Sequence, residues 1–158
     1  MQYIIGISDM KVTSGPEDVL VTYSLGSCVG VTVYDPVRKI GGMIHCMLPL
    51  SRIDALKAKD NPYMFTDTGT TSLLKTIYDM GSLKKDLVVK VAGAASLLDE
   101  NRLFKIGERN HIVLRKVLWI NGIMIAGEDT GGSIARTMYL HMADGRTTIK
   151  SCGKESEL

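Results

Sequence analysis

The chain has 158 residues, of which 45% are hydrophobic and 23% charged, with a formal net charge of +2. That is one domain's worth of sequence, large enough to bury a core without covalent staples, and the near-neutral balance excludes a strongly polyanionic partner. Aromatic residues make up only 6%, too few to offer stacking platforms to single-stranded nucleic acid, so no nucleic-acid partner is expected. Cys28, Cys46 and Cys152 form an odd set with no Cys-x-x-Cys or His-x-x-x-His spacing, so no metal or other cofactor is expected. The segment Met1 to Gly6 lacks the basic and apolar regions of a signal peptide, and no apolar run is long enough to span a bilayer. A reducing cytoplasm, without membrane insertion, is the expected compartment.

In chain order, Tyr3 to Ile7 and Val19 to Tyr23 are short apolar runs that read as strands, separated by the polar turn Ser14-Gly15-Pro16-Glu17-Asp18 after Val12. Val29 to Tyr34 alternates Val29, Val31 and Val33 against Gly30, Thr32 and Tyr34, and Ile40 to Met47 resumes after Asp35-Pro36. The two read as a β-hairpin connected by Asp35 to Lys39. Ser51 to Pro62 is polar and is expected to be a surface loop. A helix follows, capped by Thr66 or Asp67, with Leu73, Leu74, Ile77 and Met80 on one face and Gly81 as its stop. Leu87 to Ala92 reads as a buried strand. A second helix starts near Gly107 or Glu108, carries Val113, Leu114, Val117, Leu118 and Ile120 as its apolar stripe, and stops at Asn121-Gly122. Ile123 to Ala126 is a short strand, and Gly127 to Gly132 is a turn-rich segment that could shape a cleft. Ile134 to His141 and Thr147 to Lys150 are strands joined at Asp144-Gly145. The expected organisation is one mixed α/β (α+β) domain over residues 1–150, followed by a solvated polar tail over 151–158.

Chemistry concentrates around Cys28. It closes the turn Ser24-Leu25-Gly26-Ser27-Cys28, with Gly26 and Gly30 clearing side-chain bulk around the thiol. A buried cysteine is often an inert small hydrophobe. A thiol on a glycine-flanked turn, however, sits at the rim of a sheet, where backbone N–H groups around Gly26 and Ser27 can support a developing oxyanion. His45 alternates onto the face of Met43 and Met47, opposite Ile44 and Cys46. Hairpin pairing around Asp35 to Lys39 would bring the start of one strand, beside Cys28, next to the end of the other, at His45; a one-residue slip would break this. A nucleophile–base pair also needs a group to orient the base, and Thr22, Ser24 and Ser27 are all available hydroxyls. Cys46 is the weaker nucleophile candidate because strand neighbours face opposite sides. Cys152 reads as an incidental thiol, His111 as part of a solvated helix face, and His141 has no distinguishing neighbour.

The segments Val21 to Val31, Gly41 to Pro49 and Ala126 to Gly132, together with Ile106-Gly107-Glu108-Arg109-Asn110, resemble the CheD family of chemoreceptor glutamine deamidases. The resemblance runs from Ile5 to Lys150. It implies a β-sandwich-like mixed sheet flanked by helices, akin to deamidating toxins. It also implies Cys28 as nucleophile, His45 as base and Thr22 as the third member of the triad, a choice the residues alone leave open. The implied reaction converts glutamines of a chemoreceptor cytoplasmic domain to glutamate with release of ammonia. A CheC-like phosphatase is the further partner implied. Two other functions remain compatible with the same residues: a mainly non-catalytic partner of CheC or of the receptor, and a receptor glutamate methylesterase using the same thiol.

Overall fold

The computed structural model describes residues 1–97 and 104–158. Among them, β1 (Gln2–Ile4), β3 (Val19–Leu25), β8 (Arg136–His141), β9 (Arg146–Ser151) and β10 (Lys154–Glu157) form an outer sheet in the order β1-β3-β8-β9-β10. A second, central sheet has the order β2-β5-β4-β6-β7, from β2 (Asp9–Thr13), β5 (Ile40–Cys46), β4 (Val29–Asp35), β6 (Val88–Gly93) and β7 (Ile125–Thr130). Helices α2 (Thr66–Asp79) and α3 (Ile106–Ile120) cover its other face. The result is three layers and the mixed α+β class expected from the sequence. No helix among the described residues is long and apolar enough to cross a membrane.

The central sheet is covered on both faces, so all seven residues of β4 and all seven of β5 are buried. The period of two in β4 therefore sorts residues between two cores, not between core and solvent. Val29, Val31 and Val33 join Ile44, Cys46, Leu73, Ile77 and Leu114 on the helix side. Tyr34, Met43 and Ala92 join Leu20, Leu25 and Met138 between the sheets. Gly30 lies on this second face, where an added Cβ would stand 2.9 Å from Leu25 and 3.0 Å from Met138, so glycine lets the sheets approach. Thr32 and Thr147 close the polar part of the interface with a hydroxyl–hydroxyl hydrogen bond of 2.9 Å. The β4–β5 hairpin forms as expected, with Val29 opposite Cys46, Gly30 opposite His45 and Asp35 opposite Ile40.

Several expectations are corrected. Ser51 to Pro62 is not a loop: a 3-10 turn at Ser51–Ile53 leads into α1 (Ala55–Asp60), whose N-cap Asp54 accepts from the Lys57 N–H at 3.1 Å. Local capping makes this helix without a buried face, so hydrophobic periodicity carries no sign of it. Neither Thr66 nor Asp67 caps α2; Phe65 occupies that position, and the Asp67 carboxylate accepts from the Ser51 N–H and hydroxyl. Met80 and Ile120, assigned to apolar stripes, are exposed at the ends of their helices. The buried stripe of α3 is Gly107, Asn110, Leu114 and Leu118. Gly127 to Thr130 belong to β7, and of the expected turn only Gly131 and Gly132 remain, at φ of +81° and +69°. β2 carries no expectation from the sequence, since as an edge strand it shows only partly buried residues. Residues 151–158 are mostly exposed, yet they carry β10, paired antiparallel with β9.

Candidate active site

The turn holding Cys28 passes from the outer sheet to the central one. β3 ends at Leu25 with a register irregularity against β8 between Thr22 and Leu25, where Ser24 adopts φ +58°. Three carbonyls of the turn are then taken up in succession. The Ala95 N–H donates to Gly26 O (2.8 Å), the Asn110 side-chain amide to Ser27 O (2.9 Å), and the Ala94 N–H to Cys28 O (2.8 Å). A Cβ at Gly93, which adopts φ +103°, would overlap the Cys28 carbonyl oxygen; glycine is required for the chain to pass this close. The 93–96 segment is itself held by Gly131 N–H to Gly93 O (2.9 Å) and Ser96 N–H to Gly132 O (2.8 Å), which gives the Gly131-Gly132 turn its structural task.

His45 opposes Gly30 in β4, on the inter-sheet face, and Cys28, in the bend just before β4, packs against the same inter-sheet cluster. Thr22 reaches it from the outer sheet. The Thr22 hydroxyl donates to Ile5 O at 2.7 Å and lies 2.7 Å from His45 Nδ1. A hydroxyl has one proton, and Ile5 O takes it, so the oxygen meets Nδ1 as an acceptor. Nδ1 therefore carries the ring proton and Nε2 keeps its lone pair. That nitrogen is buried, with no hydrogen-bond partner among the described residues. Burial also pushes the His45 pKa down from 6.5 to about 4, so the ring is neutral near pH 7. A neutral imidazole held in the Nδ1–H tautomer offers Nε2 as a proton acceptor.

Cys28 is half-buried and lines a cleft of about 350 Å³ together with Gly26, Ser27, Met47, Leu48 and Ile106. Exposed Ile7 and Met47 make its shoulders apolar. Of the three hydroxyls open to choice, Ser24 and Ser27 also line this cleft, and Thr22 alone bonds the histidine. Cys46 lies on the helix side, fully buried, and burial drives its thiol pKa well above the ordinary range. Cys152 is exposed, His111 pairs with Glu128 at 2.9 Å, and His141 meets the Thr148 hydroxyl at 3.3 Å; none approaches the cleft.

Sequence reasoning assigns no role to Asn110, which is fully buried at the junction of three segments. Besides Ser27 O, its amide donates to Met47 O at 3.1 Å, and its Oδ1 lies 3.3 Å from the Thr66 hydroxyl. A polar residue at a core position of the α3 stripe is the signal that marks it in the sequence.

A family model described as "CheD chemotactic sensory transduction" matches residues 47–151. Among curated proteins, "Probable chemoreceptor glutamine deamidase CheD" of Solibacter usitatus is 46% identical over 157 residues, covering 99% of this chain and 93% of that protein. This chain belongs to the CheD family. "Probable chemoreceptor glutamine deamidase CheD 1" of Syntrophus aciditrophicus is 48% identical over 150 residues, covering 95% and 94% of the two chains. The relative of the same description in Pyrococcus horikoshii is 39% identical over 148 residues, covering 92% and 90%. The family-model match begins two residues after His45, so the CheD assignment of the Thr22–Cys28–His45 region rests on the full-length relatives. Among solved structures, "Bacillus licheniformis hypothetical protein YfiH" shares the fold with a TM-score of 0.50 at 17% identity. The match covers 79% of this chain and spans half of that one.

Proposed function

We propose that this CheD-family chain is a protein-glutamine deamidase of chemoreceptors, with Cys28 as nucleophile, His45 as general base and Thr22 as the residue that orients the base. The observation that carries the reading is the Ile5–Thr22–His45 chain of hydrogen bonds, which leaves Nε2 as the proton acceptor on the face shared with Cys28. The Cys28 sulfur attacks the side-chain carboxamide carbon of a receptor glutamine while its proton passes to His45 Nε2. Because burial opposes the imidazolium, proton transfer accompanies C–S bond formation and does not precede it. Backbone N–H groups of the Gly26–Cys28 turn stabilise the oxyanion. The imidazolium then gives its proton to the departing nitrogen, ammonia leaves, and a thioester remains. Water, deprotonated by the same Nε2, attacks the thioester; the thiolate departs and is reprotonated, and the side chain is now glutamate. The balance is one water consumed and one ammonia released per glutamine.

An open cleft with apolar shoulders at Ile7 and Met47 suits a side chain presented on a protein surface. A cytoplasmic location and regulation by a CheC-like phosphatase belong to the same reading. The test is incubation with a chemoreceptor cytoplasmic fragment, read by peptide mass spectrometry and by ammonia and methanol release. Glutamine-to-glutamate conversion that vanishes in Cys28→Ala and His45→Ala is the expected result. Methanol without ammonia would make the protein a methylesterase, and neither product would reduce it to an adaptor.

A further inference from the structure

Beyond the triad, the site needs its oxyanion donors aimed, and the turn shows how. In a trans peptide the C=O of one residue and the N–H of the next point in opposite directions. Fixing a carbonyl therefore fixes the N–H that follows it. Gly26 O, held by the Ala95 N–H, sets the direction of the Ser27 N–H, and Ser27 O, held by the Asn110 amide, sets that of the Cys28 N–H. The first of these anchors is main chain; the second is a side chain that a single substitution removes.

Asn110 is built for this position. Its two amide protons go to Ser27 O and Met47 O, and its Oδ1 faces the Thr66 hydroxyl, so nitrogen and oxygen cannot be exchanged without opposing like groups. Thr66 is tied to the Leu48 carbonyl through its N–H (2.7 Å), and its one hydroxyl proton is shared between Leu48 O (3.0 Å) and Asn110 Oδ1 (3.3 Å). Ser27 precedes the nucleophile and Met47 lies two residues beyond the base. One fully buried amide thus bridges the turn of Cys28 and the exit of the strand that carries His45.

We propose that Asn110 is a positioning residue that sets the Ser27–Cys28 peptide so that its N–H serves the oxyanion, and holds that donor in register with the His45 strand. The proposal rests on the deamidase reading for its biological substrate, but its chemistry is testable without a receptor. Acylation of Cys28 by p-nitrophenyl acetate passes through a tetrahedral oxyanion. Alkylation by iodoacetamide is a displacement at a methylene carbon and forms none. Both would be measured at Cys28 by peptide mapping across pH, in wild type, Asn110→Ala and the near-isosteric Asn110→Asp.

Expected in both variants is a loss of about 10²-fold in acylation, the size of losing one oxyanion donor. Receptor deamidation should fall in parallel through kcat, with alkylation and its pH profile within about twofold of wild type. Equal loss of acylation and alkylation, or unchanged acylation, would overturn the proposal. Wild type that acylates but leaves receptor glutamines intact would sink the deamidase reading, while the split between the two reagents would still judge Asn110. If both Asn110 variants fail to fold, Thr66→Val, which removes the hydroxyl facing Oδ1, must show the same split at about threefold to tenfold; parallel loss or none there overturns the proposal equally.

Discussion

The two faces of the central sheet each carry a cysteine, and the contrast between them explains where the chemistry lies. Cys46 is bonded directly to His45 and pairs with Val29, the residue after Cys28. Yet its side chain projects into the helix-side core, where burial suppresses ionisation, with the Asp67 charge adding to the effect. Cys28 lies on the other side, in a cleft open to solvent, on the face that His45 shares. Closeness along the chain to the imidazole therefore counts for nothing; strand alternation decides which thiol lies on its side of the sheet.

The sharpest way to break this contrast is to delete each thiol in turn. Cys28→Ala should lose about 10⁴-fold or more in deamidation, whereas Cys46→Ala should keep activity within a few-fold of wild type and lose about 1–2 kcal/mol of stability to the cavity. Receptor assays and urea melts on the pair would settle it, and a dead, well-folded Cys46→Ala would reverse the assignment. Next in size is Thr22→Val, which keeps the volume but removes the acceptor for Nδ1–H. It should cost about 10²-fold in kcat with little change in KM, the lower end of what a placed general base supplies.

pH sharpens the contrast further. His45 has its ordinary pKa near 6.5 in the unfolded chain but about 4 when folded, so between these values the unfolded state binds more protons. Stability from this residue is complete above about pH 6.5 and is lost as pH falls toward 4, on the order of 3 kcal/mol in all. Urea midpoints from pH 7.5 to 4.5 should decline more steeply in wild type than in His45→Gln. The acid limb of kcat/KM should likewise fall far below 6.5; a limb at 6.5 would mean that the imidazole is solvated in the working enzyme. The smallest effect concerns labelling: iodoacetamide on the native protein should modify Cys28 and exposed Cys152 and spare Cys46.

Local patterns carried much of this molecule. The alternation in Val29 to Tyr34, the break at Asp35-Pro36 and the Asp144-Gly145 turn specify their hairpins because pairing across a short connection depends on near neighbours. The same period placed His45 opposite Cys46 in orientation. Where the sequence misled or was silent, the determinant was non-local or hidden: β10 and β2 are strands because another strand lies beside them, and α1 is held by a cap, not a buried face.

The amino-acid sequence by itself determined the thiol's turn and the hairpin that carries the histidine, and through likeness to the CheD family it implied Thr22 as the third residue. Only the tertiary structure decided that Thr22, of the three hydroxyls on offer, meets Nδ1, and that Asn110 ties the two halves of the site together. Both are contacts between layers. Their partners are chosen by how closely two sheets and a helix pack, a distance that no spacing along the chain encodes.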